Sequence, residues 1–242
     1  MFQWTDEIMA FREDAENYTR FDEAIAGRVA SYLSPGSRLC DAGCGMGFLS
    51  VKLCRMGFSV TAVDESAAAV AYLRSKQTQA GLTGLTVVQG DLFTMTPDRR
   101  YDAMVFCFFG GVEQSLAAIR RQCSGKAVLV KKDWLRHRFD PQHRPMKHSS
   151  FEFTCDRLQE LSIPYDSCRF ALEMGQPLRS VEHARHFFAA YAPDGALPDP
   201  ERTRALLQPT GRTDFPYYLP ARRSLGLIVL DAGTIPDSIE KP

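Results

Sequence analysis

From residue 38 to residue 132 short apolar runs alternate with stretches of helical periodicity, and this alternation restricts the fold more than any other feature. Strand, helix and returning strand in succession are how a parallel sheet with crossover helices is written. "RLCDAG" reads as a first strand. Residues 47–56 follow as a helix with Leu49, Leu53 and Met56 on one face, Lys52 and Arg55 turned away, and Gly57 as its stop. "FSVTAVD" is a second strand. Ser66 caps a helix through "AAAVAYLRSKQTQA" to Gly81, and "LTVVQGD" supplies a third strand. "YDAMVFCFFGG" is almost wholly apolar after Asp102, as a central strand buried on both faces must be. "VEQSLAAIRRQC" is its crossover helix and "KAVLVKK" a fifth strand.

Beyond Lys132 the pattern loosens. "DWLRHRFDPQHRPMKHSS" reads as a loop, "TCDRLQELS" as a short helix and "DSCRFALEMG" as a sixth strand. Residues 176–222, rich in proline and aromatics, carry helices around "SVEHARHFFAAY" and "DPERTRALL", and "SLGLIVLDA" closes the chain as a last strand. No repeat, low-complexity tract or interdomain linker interrupts the 242 residues, of which 45% are hydrophobic, so the reading is one α/β domain with an inserted cap.

Lysine plus arginine balance aspartate plus glutamate at 29 each, so no global field draws the chain to nucleic acid or to an anionic membrane. No stretch reaches the roughly 18 apolar residues needed to span a bilayer, and the N-terminus has no apolar run of signal length. Seven cysteines, at 40, 44, 54, 107, 123, 155 and 168, form an odd set without a CxxC pair, which fits a reducing compartment and argues against zinc. The expectation is a soluble, cytoplasmic protein without a metal.

The turn after the first strand, "DAGCGMG", is the chemical signal. A strand ending in glycines that open a helix directs backbone N–H groups and the positive end of the helix dipole at a close, partly anionic ligand. Dinucleotides and nucleoside-like cofactors both use such a turn. The dinucleotide fingerprint needs a third small residue, and counting from Gly43 and Gly45 places the bulky Phe48 there. A frame on Gly45, Gly47 and Ser50 starts late relative to the strand.

As written, Asp41, Gly43, Gly45 and Gly47 resemble motif I of the class I S-adenosylmethionine-dependent methyltransferases. The resemblance covers residues 36–132 well and the remainder in outline. It implies a Rossmann-like, seven-stranded, mostly parallel sheet with helices on both faces and an antiparallel last strand. It implies S-adenosylmethionine as cofactor and S-adenosylhomocysteine as product. Asp64, ending the second strand, looks like the family's acceptor of the ribose hydroxyls, a carboxylate with two oxygens facing a cis-diol. Asp91 resembles the residue at the adenine amino group and Leu92 a contact to the ring. Cys44 within the turn, Glu65 beside Asp64, and Cys107 at the end of the fourth strand complete the expected cofactor set. Residues 36–132 are then the cofactor-binding core, 1–35 an N-terminal helical cap, and 133–242 a substrate-side half with the inserted cap at about 176–222.

Each acid alone is as well read as an ordinary turn residue, but acids after three successive strands at one sheet edge point jointly to a ligand. Cys44 is a small filler rather than a nucleophile. The segment 131–148 carries six lysines and arginines, three histidines and two aspartates; a solvated basic loop explains it, and contact with an anionic or phenolic substrate is the sharper alternative. His137, His143 and His148 are too irregularly spaced for a metal. The aromatics at 186–193 and 215–220 pack a core, close a lid, or do both, and the resemblance implies that Tyr18 and Phe21, ahead of motif I, lie over the cofactor.

Glu113 and the three histidines are candidate general bases, and nothing selects among them, so no catalytic residue is assigned. "FCFFGG" lacks the N/D-P-P-Y/F/W motif with which amino-methyltransferases of DNA hold their amine, and a small-molecule acceptor fits better than a polynucleotide. Two other functions stay open on the residues: a nicotinamide-dependent oxidoreductase, disfavoured by Phe48, and a cofactor-binding protein without turnover.

Overall fold

The computed structural model describes residues 3–133, 150–192 and 195–239. Its strands are β1 (Arg38–Ala42), β2 (Ser59–Asp64), β3 (Leu85–Gln89), β4 (Tyr101–Cys107), β5 (Cys123–Lys132), β6 (Tyr165–Glu173), β7 (Gln176–Leu178), β8 (Gln208–Pro209), β9 (Tyr217–Leu219) and β10 (Arg222–Asp231). Seven form one sheet in the order β3-β2-β1-β4-β5-β10-β6. β1 pairs in parallel with β2 and β4, β2 with β3, and β4 with β5, while β10 runs antiparallel to β5. This is the mostly parallel sheet with an antiparallel last strand that the alternation and the resemblance predict.

The helices are α1 (Asp6–Thr19), α2 (Phe21–Ala30), α3 (Phe48–Arg55), α4 (Ala67–Ala80), α5 (Val112–Gln122), α6 (Phe151–Glu160), α7 (Val181–Tyr191) and α8 (Pro200–Ala205). Local chemistry sets their ends. Ser66 Oγ accepts the Ala69 N–H at 3.3 Å to start α4, and Gly81 ends it in the left-handed conformation at φ 59. On one face of the sheet Cys40, Ala42, Met104, Phe106 and Leu129 pack with Leu116 and Ile119 of α5 and Phe151 and Leu158 of α6. The alternating residues Leu39, Val105 and Val128 are buried too, so both faces are covered, which explains why these strands read as continuous apolar runs.

The described residues fall into two compact units. The larger comprises 22–133, 150–170 and 224–239 and holds the body of the seven-stranded sheet. The smaller takes in the described residues of 1–21 and 171–223. It is built around Phe11, Leu178, Ala184, Phe187 and Leu219 and contains a three-stranded antiparallel sheet, β7-β9-β8, that sequence reasoning did not anticipate. These strands are too short to show alternation. Pro177 and Pro209 sit in the two outer strands, where a missing N–H costs no ladder bond. No described helix is long and apolar enough to cross a membrane.

Candidate functional site

Because β1, β2, β3 and β4 are parallel neighbours, their carboxyl ends share one edge of the sheet, where open α/β sheets bind ligands. The glycine turn lies there. Gly43, Gly45 and Gly47 all take left-handed backbone angles, at φ 66, 53 and 72, that side chains disfavour. A Cβ on Gly43 would run into the Phe109 ring, and one on Gly47 into Leu73. Two of the three glycines are thus required by neighbouring side chains of the protein itself.

The turn's N–H groups are also largely used internally, a departure from the sequence expectation that they are directed at a ligand. Cys44 N–H donates to Val63 O at 3.0 Å, and Gly47 N–H to Cys44 O at 2.9 Å. Gly45 N–H donates to Asp64 Oδ2 at 2.8 Å. The start of α3, where Gly47 brings no side-chain cap, is what remains to face a ligand.

Asp64 is half-buried, and its other oxygen, Oδ1, accepts the Ser66 N–H at 2.9 Å. Each carboxylate oxygen has a second lone pair, so both can still accept from a diol. Glu65, next in the chain, is exposed. Asp91 bends its own loop by accepting the Phe93 N–H at 2.8 Å. That loop is pinned from α5: Gln122 Nε2 donates to Leu92 O at 2.8 Å and Arg121 to Phe93 O at 2.6 Å. The Leu92 side chain is buried in the core.

Asp41 lies under the turn and is buried, its carboxylate taking the Ser50 hydroxyl at 2.5 Å. Burial pushes its pKa up to about 7; the Ser50 bond opposes the shift, and the nearby charges of Asp22 and Asp64 add to it. Burial likewise raises the Cys44 thiol, so it is no poised nucleophile. Cys107 ends β4 half-buried, at the same edge as the turn.

The structure therefore brings Asp41, the 43–47 turn, Asp64, Glu65, Asp91, Leu92 and Cys107 to the ends of four adjacent strands. Glu113 is tied to Arg157, whose Nε donates to Oε1 at 2.9 Å. His137, His143 and His148 lie outside the described residues. Among those residues no three His, Cys, Asp or Glu side chains gather as a metal set. Tyr18 stacks on Tyr218, with centroids 5.0 Å apart, within the smaller unit.

Three residues at this edge escaped sequence reasoning, and a fourth, Lys131, entered it only as the start of the basic run 131–148. Ser50 is the hydroxyl on Asp41. Phe93 and Phe109 stack on each other beside the turn, with centroids 5.3 Å apart and planes 6° apart. Lys131, 1% exposed, donates through Nζ to Phe109 O at 3.2 Å and Gly110 O at 3.0 Å. The one available signal was a lysine inside the apolar run of β5.

Residues 39–126 match the model of a family described as a methyltransferase domain. A comparison with curated proteins finds none that matches. Among solved structures, the YcgJ protein of Bacillus subtilis is similar over 87% of this chain and 98% of its own, with a TM-score of 0.56 and 12% identity. Magnesium protoporphyrin IX methyltransferase of Synechocystis PCC 6803, with bound SAH, is similar over 94% of this chain and 89% of its own, with a TM-score of 0.53 and 15% identity. Coclaurine N-methyltransferase, bound to N-methylheliamine and SAH, is similar over 86% and 71%, with a TM-score of 0.52 and 14% identity. At these identities the likeness is one of fold.

Proposed function

We propose that this chain is a class I S-adenosylmethionine-dependent methyltransferase that acts on a small-molecule acceptor, a reading supported by its domain match and its fold. The observation that carries the reading is the row of acids Asp41, Asp64 and Asp91 at the ends of three neighbouring strands, around a turn of left-handed glycines inside the matched domain. When bound, the cofactor supplies an electrophilic methyl on a sulfonium.

In the proposed arrangement Asp64 takes the ribose hydroxyls on the lone pairs left over from Gly45 and Ser66, with Glu65 flanking it. Asp91 and Leu92 receive the adenine. The turn from Gly43 through Cys44 and Gly45 to Gly47, with Asp41 beneath it, faces the amino-acid tail, and Cys107 lies near the transfer point. The charges of Asp22 and Asp64, which help to raise the pKa of Asp41, make the surroundings of the turn favourable to a cation. The residues thus fit the group by donor set and by charge. Since the methyl is already activated, the protein's task is to align acceptor and sulfonium and to exclude water, and no general base is assigned.

The small-molecule reading is supported by the balanced charge and by neighbours named for compounds of that class. The core at 36–132 is proposed to hold the cofactor, and the segments 1–35 and 133–242, with the cap at about 176–222, to supply acceptor selectivity, in a cytoplasmic protein. The test is calorimetric titration with S-adenosylhomocysteine, with NAD as control. Micromolar-range binding to the native chain, absent with NAD and lost in Asp64→Ala, is expected. Equal binding to native and variant chains, or a preference for NAD, contradicts it.

A further inference from the structure

The loop after β4 lies on the glycine turn. Its Phe109 ring stands where a Cβ of Gly43 would be and stacks with Phe93 at 5.3 Å and with Phe106 at 6.5 Å between centroids. The residues on either side of Phe109 both have left-handed backbone: Phe108 at φ 57 and Gly110 at φ 70. Glycine adopts this conformation freely, but a bulky residue is strained in it and keeps it only where neighbours impose it.

Those neighbours are in β5. Phe108 N–H donates to Val130 O at 2.9 Å, and Lys131 Nζ holds the carbonyls of Phe109 and Gly110. A buried ammonium needs such acceptors, so the lysine and the loop fix each other. The helix that follows presents an unsatisfied group to this loop. Ser115 Oγ, in a residue with no exposed surface, has no hydrogen-bond partner, and it is the atom nearest to the side-chain direction of Gly110. A strained phenylalanine in the loop and an unpaired buried hydroxyl on α5 facing Gly110 both favour a second position of that loop.

We propose that Phe109 is a gate on the glycine turn and Lys131 the positioning residue that holds it, so that the cofactor reaches the turn only as the ring leaves. The inference rests on the proposed function for the identity of the ligand. Entry of the S-adenosyl compound is then limited by the rate at which the Phe109 ring vacates Gly43, and the Lys131 clamp sets that rate.

The experiment has two readouts. Urea midpoints of Gly43→Ala, Phe109→Ala and the double variant report the ring's position without any ligand. Gly43→Ala is expected to lower the midpoint about twice as far in the native background as in the Phe109→Ala background, where only the backbone cost remains. Stopped-flow association of S-adenosylhomocysteine reports the gate. The observed rate is expected to saturate with concentration in the native chain and to rise about tenfold, without saturating, in Phe109→Ala. Lys131→Met is expected to raise the saturating rate in the same direction; should it fail to fold, Phe109→Ala still decides.

Equal midpoint losses in both backgrounds remove the ring from the turn and overturn the proposal. So does linear association, equally fast in all chains. A midpoint coupling with no S-adenosylhomocysteine binding to either the native chain or Phe109→Ala overturns the proposed function, and the cofactor gate with it.

Discussion

The Asp64 carboxylate accepts the N–H of Gly45 at 2.8 Å, binding the end of one strand to the glycine turn that follows its neighbour. The same carboxylate holds Ser66 N–H, so one side chain fixes both the turn and the start of α4. Asn at this position has a single oxygen and turns an amide NH2 toward one of two donors. Asp64→Asn should remove one charge-assisted hydrogen bond, worth about 1.5–3 kcal/mol, and lower the exchange protection of the Gly45 or Ser66 amide by about tenfold or more. Hydrogen-exchange NMR without ligand reads this directly, and unchanged protection of both amides would refute the role.

Gly47 is a second fixed point. Its backbone is left-handed and its missing Cβ makes room for Leu73, a fully buried residue of α4. Gly47→Ala combines backbone strain with a clash against a packed side chain and should cost about 2–4 kcal/mol, seen as a lowered urea midpoint with an unchanged slope. Gly57, also left-handed but with open space in its side-chain direction, is the control, and Gly57→Ala should cost about 1 kcal/mol. Equal losses at the two sites would remove the packing argument.

Asp41 links pH to stability. Its folded pKa of about 7 stands above the ordinary 3.8, so between those values the native state keeps a proton that the unfolded chain releases. The contribution is fully present below about pH 4 and is lost as pH rises through about 7. Asp41→Asn abolishes this titration while leaving Ser50 a partner. Relative to the native chain, the variant should gain stability between about pH 5 and about pH 8, by an amount of the order of a few kcal/mol. Urea midpoints of both proteins at the two pH values decide, and parallel shifts would mean that Asp41 does not carry the proton.

In the smaller unit, the Tyr218 hydroxyl donates to Glu173 Oε1 at 2.7 Å, and the same oxygen accepts Ala221 N–H at 2.6 Å. Burial and then the Glu173 bond both raise the phenol's pKa, so it stays a donor. Tyr218→Phe keeps the stack on Tyr18 but deletes the donor. A loss of about 1–2 kcal/mol is expected in chemical denaturation, and none would show that the bond is exchanged for water at no cost.

How far the sequence spoke for the fold follows from which elements are two-sided. β1, β4 and β5 are buried on both faces, so their apolar runs are legible, and Ser66 and Gly81 mark the ends of α4 with side-chain chemistry. β5 begins at Cys123, earlier than its apolar core, because Gly125 packs against the Asp102 carbonyl where the pairing register slips; polar residues there hide the strand. The short strands around Pro177 and Pro209 carried no periodicity to read.

For the site, the acids and glycines were legible because a turn leaves a spacing in the chain. Lys131 and Phe109 were not. Lysine at a strand end normally reaches water, and the run 131–148 reads as a solvated loop; only the return of the loop over β5 puts a carbonyl pair in front of Lys131 and a glycine beneath Phe109. Ser50 was invisible for the same reason, since its partner lies nine residues earlier and is reached only once α3 folds back on β1.

The central claim is tested most directly by a crystal structure of the chain grown with S-adenosylhomocysteine. The account predicts its ribose on Asp64, its adenine between Asp91 and Leu92, and its amino-acid tail on the turn at Gly43, with the Phe109 ring displaced. Electron density for the compound elsewhere, or those strand ends left empty at saturating ligand, would contradict it.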